Sequence, residues 1–260
     1  MMLLLLLRNV VFYTFLILSA VIAAIISLPA LLISKYRRYV LSSYAYVVIK
    51  LAQAICGIRY RVCNPDFIET IKASRKQTAD DDNDGQSILF VSNHQSAWET
   101  IFFTYYLNTP VFILKKELMY MPIIGIYLKL TNMLFIDRKN GISSIRQMKK
   151  QIKNLPHNRD IVIFPEGRRG KQFNSLLPFK SGLLSIIEAA PNTRVVPVIV
   201  HSSGKYWPKG LFAIKKPGEI RIELLPEFPI SNINKDRDRK SVVQRLESLM
   251  RKKIGEEDRG

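Results

Sequence analysis

The N-terminus constrains this chain most: from Asn9 to Ser34 no residue carries a charge. A helix that crosses a bilayer needs roughly 20 apolar residues, and this run is longer. Arg8 precedes it, and Lys35, Arg37 and Arg38 follow it. A cleaved signal peptide is the rival reading. Its apolar region is shorter, about 7–15 residues, and closes on a small-x-small site. Here the run ends in Pro29 and a basic cluster, which favours a retained anchor. If that helix crosses fully, Lys35, Arg37 and Arg38 mark its cytoplasmic end and place the downstream chain in the cytoplasm.

A second apolar stretch, Val40–Ile58, contains Lys50. Tyr36, Tyr39, Tyr44 and Tyr46 cluster as an aromatic belt would at a bilayer interface. Lys50 disfavours full insertion unless its stem snorkels. The expectation is two helices joined near Lys35–Arg38, the second lying on the surface or packing on the globular part. Residues 1–60 then form the anchor segment and 61–260 the globular domain. A polar loop at 72–87 carries the acidic run Asp80, Asp81, Asp82 and Asp84, which ends in Gly85.

The formal charge of +18, from 39 Lys and Arg against 21 Asp and Glu, predicts attraction to a polyanion. Nucleic acid, an anionic bilayer and an acidic protein all qualify. The aromatic-and-basic signatures of nucleic-acid binding are absent, and the anchor makes an anionic phospholipid membrane the better partner. Cys56 and Cys63 lack a CxxC spacing or a nearby histidine, so no disulfide framework, metal site or redox site is expected.

Beyond the polar loop, short apolar runs alternate with helical patterns. Ile88–Val91, Val111–Leu114, Met133–Ile136, Ile161–Phe164, Val195–Val200 and Ile220–Leu224 read as strands. Thr100–Tyr106, Ile124–Leu130, Ser143–Asn154, Gly182–Ala190 and Lys240–Ile254 read as helices. Such interleaving implies a layered α/β domain. Pro197 interrupts one strand, which predicts a bulge or an edge there.

Two stretches carry chemistry. In Val91-Ser92-Asn93-His94-Gln95-Ser96-Ala97-Trp98-Glu99-Thr100, a strand leads through a loop into a helix. Ligands bind at such strand-to-loop edges. Glu99 can reach back to one ring nitrogen of His94 and leave the other free to take a proton. In Ile161-Val162-Ile163-Phe164-Pro165-Glu166-Gly167-Arg168-Arg169-Gly170, a strand runs into a turn with two arginines. Gly167 permits close backbone approach, and Arg168 and Arg169 can bond phosphate bidentately. Taken alone, His94 also reads as a capping or core histidine, and the arginines as an exposed turn. Lys115-Lys116-Glu117-Leu118 and Leu134-Phe135-Ile136-Asp137-Arg138 lie between the two stretches.

In this order, the blocks from Ile88 to Leu225 resemble the 1-acyl-sn-glycerol-3-phosphate acyltransferase family. The first is similar to its His–x₄–Asp catalytic motif, with Glu99 in place of Asp. The second is similar to its Phe-Pro-Glu-Gly-Thr-Arg motif for the acceptor's phosphate, with Arg168 in place of Thr and Arg169 at the family's arginine. Ser203-Gly204-Lys205-Tyr206-Trp207-Pro208 also resembles bacterial members; Trp207 alone reads as a buried anchor. The resemblance implies a glycerolipid-acyltransferase-like α/β domain with catalytic His94 and Glu99. It implies substrate contacts from Lys115, Arg138, Glu166, Gly167, Arg168 and Arg169. It implies no cofactor: the acyl donor, acyl-CoA or acyl carrier protein, is a substrate and lysophosphatidate the acceptor. The expected location is the bacterial inner membrane, with the catalytic domain on its cytoplasmic side.

Two rivals stay open on the residues alone. One is acyl transfer to another acceptor, such as glycerol 3-phosphate or a lyso-aminolipid. The other is a non-catalytic lipid-binding protein on the same fold, against which His94 argues.

Overall fold

Strands buried on both faces read as continuous apolar runs, and the strands at Ile88–Ser92, Ile161–Ile163 and Arg194–His201 are of that kind. The computed structural model describes residues 2–27, 33–70, 87–121, 124–137, 141–155, 159–170, 175–190, 193–210, 214–230 and 236–257. Its strands are β1 (Ile58–Val62), β2 (Ile88–Ser92), β3 (Val111–Lys115), β4 (Leu134–Ile136), β5 (Ile161–Ile163), β6 (Arg194–His201) and β7 (Gly218–Leu224). They form one sheet in the order β1-β7-β6-β2-β5-β3-β4. β6, β2, β5, β3 and β4 run parallel, while β7 runs antiparallel to β6 and β1 parallel to β7. The carboxyl ends of β2, β3, β4, β5 and β6 therefore share one edge. The expected polar loop at 72–87 falls, apart from Ser87, outside the described residues.

Helices cover both faces. Because side chains alternate along a strand, Phe90, Val162 and Val196 point to one layer and Leu89, Ile161 and Val195 to the other. The first layer holds α1 (Met2–Ile26), α2 (Ser34–Cys56) and α3 (Trp98–Tyr106); α4 (Ile124–Leu130) packs against α2. The second holds α5 (Gly141–Lys153), α6 (Gly182–Ala189) and α8 (Asp236–Glu257). The short α7 (Ser203–Tyr206) follows β6 at the carboxyl edge. Met148, Leu183, Leu246 and Met250 close the second core. Each large apolar side chain buried this way contributes about 1.5–3 kcal/mol.

The expected strands appear within two residues of their observed bounds, and so do most of the helices; α8 is longer at both ends. β1 is an addition. Its sequence Ile-Arg-Tyr-Arg-Val buries Ile58 and leaves Arg59 exposed, the half-polar pattern of an edge strand. The division expected after residue 60 falls inside it. The helix before it stops at Gly57, whose φ of 69° makes a left-handed cap.

Pro197 sits in an interior strand, not at an edge. Val198 pairs with Leu224 and Val195 with Phe228. The segment paired with β6 thus carries one extra residue opposite Pro197, a bulge at the position that cannot donate a ladder hydrogen bond.

α1 docks on the domain. The Asn9 side chain donates to the Ile214 carbonyl at 2.8 Å and accepts the Ile214 amide at 3.1 Å. Phe12 is fully buried, its ring edge-on to Trp207 at 5.2 Å, and the Trp207 indole donates to Tyr13 Oη at 3.1 Å. Trp207 is therefore a buried anchor, and what it anchors is α1. The outer face of α1 exposes Leu3, Leu7, Phe15, Ile22 and Ile26. α1 and α2 are both long and apolar enough to cross a membrane. Tyr36, Tyr39 and Tyr46 are exposed on α2 as a belt requires. Tyr44 is not part of that belt: it turns inward and donates to the Leu16 carbonyl at 3.0 Å.

Candidate active site

β2 delivers His94 to the carboxyl edge, and α3 begins four residues later. The loop between them is fixed by Asn93, which donates to the Val200 carbonyl at 2.9 Å and accepts the Val200 amide at 2.8 Å. Ser96 Oγ accepts the Trp98 amide at 3.1 Å at the entry to the helix. Glu99 lies in the first turn, where an anionic side chain suits the helix dipole.

The Glu99 carboxylate is completely buried. Its Oε1 accepts the amides of Gln95 at 3.0 Å and Ser96 at 2.9 Å, and the hydroxyl of Ser203. Its Oε2 accepts the Ser96 amide at 2.8 Å and lies 3.5 Å from His94 Nδ1. That separation is within ion-pair range but longer than a normal hydrogen bond. Nδ1 is buried and has no other partner among the described residues. The imidazole stacks on Phe164, 4.1 Å between centroids at 17°. Its side chain is 18% exposed, so with Nδ1 turned inward, Nε2 is the nitrogen on the open side. Catalytic hydrogen bonds are commonly long without substrate and tighten in the reacting complex.

β5 delivers the second motif beside the first. Glu166 Oε1 accepts the His94 amide at 2.7 Å, and the Gly170 amide donates to the His94 carbonyl at 2.9 Å. The turn carrying Arg168 and Arg169 is thus clamped at both ends to the peptide groups of His94. Gly167, at φ 70°, allows the turn. Arg168 is exposed and Arg169 half-buried. The amides of Gly167 and Gly170 bond the carbonyls of Phe164 and His94.

Glu166 faces inward beneath the turn. It is buried, and its second oxygen accepts the Leu177 amide at 2.9 Å. Burial pushes its carboxyl up to about 7 against the pull of the Leu177 and His94 amides. Its place is under the loops, as a brace. Lys115 ends β3 at the same edge and is exposed. Neighbouring Lys116 lies 3.9 Å from Asp137. Arg138 lies outside the described residues. Cys56, buried at the end of α2, and Cys63, exposed after β1, stand apart from both motifs. Ser203 is the residue whose contact sequence reasoning missed: the stretch it opens resembles bacterial family members, but within it only Trp207 was given a structural reading.

The Acyltransferase family profile matches residues 66–201, from just after β1 to the end of β6. A 1-acyl-sn-glycerol-3-phosphate acyltransferase of Pseudomonas aeruginosa is 31% identical over 225 residues, covering 84% of this chain and 79% of that protein. The Helicobacter pylori protein of the same name is 40% identical over 120 residues, 45% of this chain and 49% of its own length. The crystal structure of the 1-acyl-sn-glycerophosphate acyltransferase PlsC from Thermotoga maritima shares the fold, with a TM-score of 0.69 at 19% identity. That match covers 98% of this chain and 95% of that one. The chain belongs to the acyltransferase family so defined, and within it to the 1-acyl-sn-glycerol-3-phosphate acyltransferases.

Proposed function

We propose that this protein transfers a fatty acyl group from an acyl thioester to the sn-2 hydroxyl of 1-acyl-glycerol-3-phosphate, giving phosphatidate. The observation that carries the mechanism is the pairing of His94 with a fully buried carboxylate beside a turn that presents two arginines. His94 Nε2 removes the hydroxyl proton as the oxygen attacks the thioester carbonyl carbon. General base catalysis of this kind typically contributes ~10²–10⁴-fold. Glu99 holds the imidazole through Nδ1 and stabilises the imidazolium. The C–O bond forms, the C–S bond breaks, and the imidazolium returns its proton to the leaving thiolate. Arg169 and Arg168 receive the acceptor's phosphate, with Lys115 as a further cation of the same edge and Arg138 as the cation that the family resemblance adds.

The donor is acyl-CoA or acyl carrier protein, and no cofactor takes part in this scheme. The exposed apolar faces of α1 and α2 associate the protein with a membrane. In this reading that is a bacterial inner membrane, met from the cytoplasmic side. Because α1 is also bonded to Ile214 and Trp207, the site stays beside the surface that holds its lipid acceptor. The test is product analysis in mixed micelles with lysophosphatidate and each donor class. Phosphatidate from at least one donor supports the reading, whereas efficient acylation of glycerol 3-phosphate or a lyso-aminolipid instead would redirect it.

A further inference from the structure

We infer that Ser203 is a positioning residue for acyl transfer: its hydroxyl holds Glu99 so that Oε2 is the oxygen turned toward His94. The inference rests on the reading of His94 as the base. Three donors converge on Glu99 Oε1, from Gln95, Ser96 and Ser203, against the single Ser96 amide on Oε2. Two of those three belong to the His94 loop itself. Ser203 is the one that comes from elsewhere, 104 residues on. It therefore fixes the carboxylate relative to β6 and not merely to its own loop.

The surroundings are shaped for that contact. Ser202 adopts φ 65°, a left-handed conformation uncommon for a residue other than glycine, and so turns the chain off β6. Ser203 is completely buried. Gly204 follows, and a Cβ there would lie 3.1 Å from Gln95 Cβ, so the absence of a side chain lets this turn press against the His94 loop. Asn93 ties that loop to Val200, three residues before Ser203. A glutamate also reaches one methylene further than an aspartate. In this chain the longer arm ends on a hydroxyl supplied by the turn after β6.

The test compares Ser203→Ala in the wild-type and Glu99→Gln backgrounds of the full chain, in mixed micelles with lysophosphatidate and the better acyl donor. A lost hydrogen bond to a charged group corresponds to roughly a ten-fold effect or more. We expect Ser203→Ala to lower kcat by about that factor with KM for both substrates within about two-fold. In the Glu99→Gln background the same change should lower kcat by less than about three-fold, because residues acting through one another are non-additive. Turnover within two-fold of wild type would overturn the inference, as would a loss confined to KM or an equal loss in both backgrounds. If the alanine variant unfolds, Ser203→Cys, nearly the same size with a weak donor, is judged by the same criteria. His94→Ala separates the two levels. If it is inactive while Ser203→Ala is normal, this inference alone falls; if it turns over like wild type, the reading of His94 falls with it.

Discussion

Glu166 Oε1 accepts the backbone amide of His94 at 2.7 Å, while Oε2 of the same carboxylate accepts the amide of Leu177 at 2.9 Å. The acidic residue of the arginine motif therefore braces the loop that carries His94. Burial raises its carboxyl to about 7 from an ordinary 4.5. A folded value above the unfolded one favours the fold fully below about pH 4.5 and loses that contribution as pH rises through about 7. Glu166→Gln removes the titration. The stability of the wild type relative to this variant should fall between pH 5 and 8, by up to about 3 kcal/mol, since each pH unit between the folded and unfolded values corresponds to about 1.4 kcal/mol. Denaturant unfolding at several pH values measures it, and a pH-independent difference would show that the Glu166 carboxyl does not titrate in that range.

The arginine turn hangs between Glu166 and Gly170, both bonded to His94. Arg169→Ala should raise KM for lysophosphatidate more than KM for the acyl donor. A charge-assisted bond is worth about 1.5–3 kcal/mol, or roughly 10–150-fold. Because Arg168 adds a second cation on the same turn, the double variant should lose more than either single one. Unchanged acceptor kinetics in the double variant would remove the turn from the phosphate site.

Asn9→Ala should loosen α1 from the domain. It strips both partners from the Ile214 peptide groups, at about 1–3 kcal/mol for buried groups left unsatisfied. Thermal unfolding in detergent should show a lower Tm without loss of membrane attachment. Truncation before Lys35 should weaken attachment itself, since it removes the exposed apolar face of α1. Retention of the truncated chain on membranes in high salt would make α2 the main attachment.

The sequence disclosed what short-range pattern encodes. Continuous apolar runs marked β2, β5 and β6 because both faces of those strands are covered. The spacing of His94 and Glu99 was visible because both sit on one loop and its helix. β1 escaped notice because an edge strand with alternating arginines lacks that apolar signal. Ser203 escaped because its partner lies 104 residues away, and no local pattern records such a contact. Glu166 was legible as part of a motif, yet only its burial and its two amide partners reveal that it braces the His94 loop. The docking of α1 was likewise hidden, since Asn9 looks like one polar residue at the start of an apolar run until Ile214 is found against it.

We propose His94, held by Glu99, as the base for acyl transfer to lysophosphatidate. The most direct measurement is kcat for phosphatidate formation by His94→Ala, Glu99→Gln and Glu99→Asp at saturating donor and acceptor, with folding checked by thermal unfolding. His94→Ala should lose ~10²–10⁴-fold. Glu99→Gln should also be severely impaired, because a neutral amide can hold the imidazole in the wrong tautomer, a fault that costs ~10⁴ in a Ser-His-Asp triad. Glu99→Asp keeps the charge and should be milder. Near-wild-type turnover by a folded His94→Ala enzyme would contradict the account, and near-wild-type turnover by folded Glu99→Gln would dissolve the dyad.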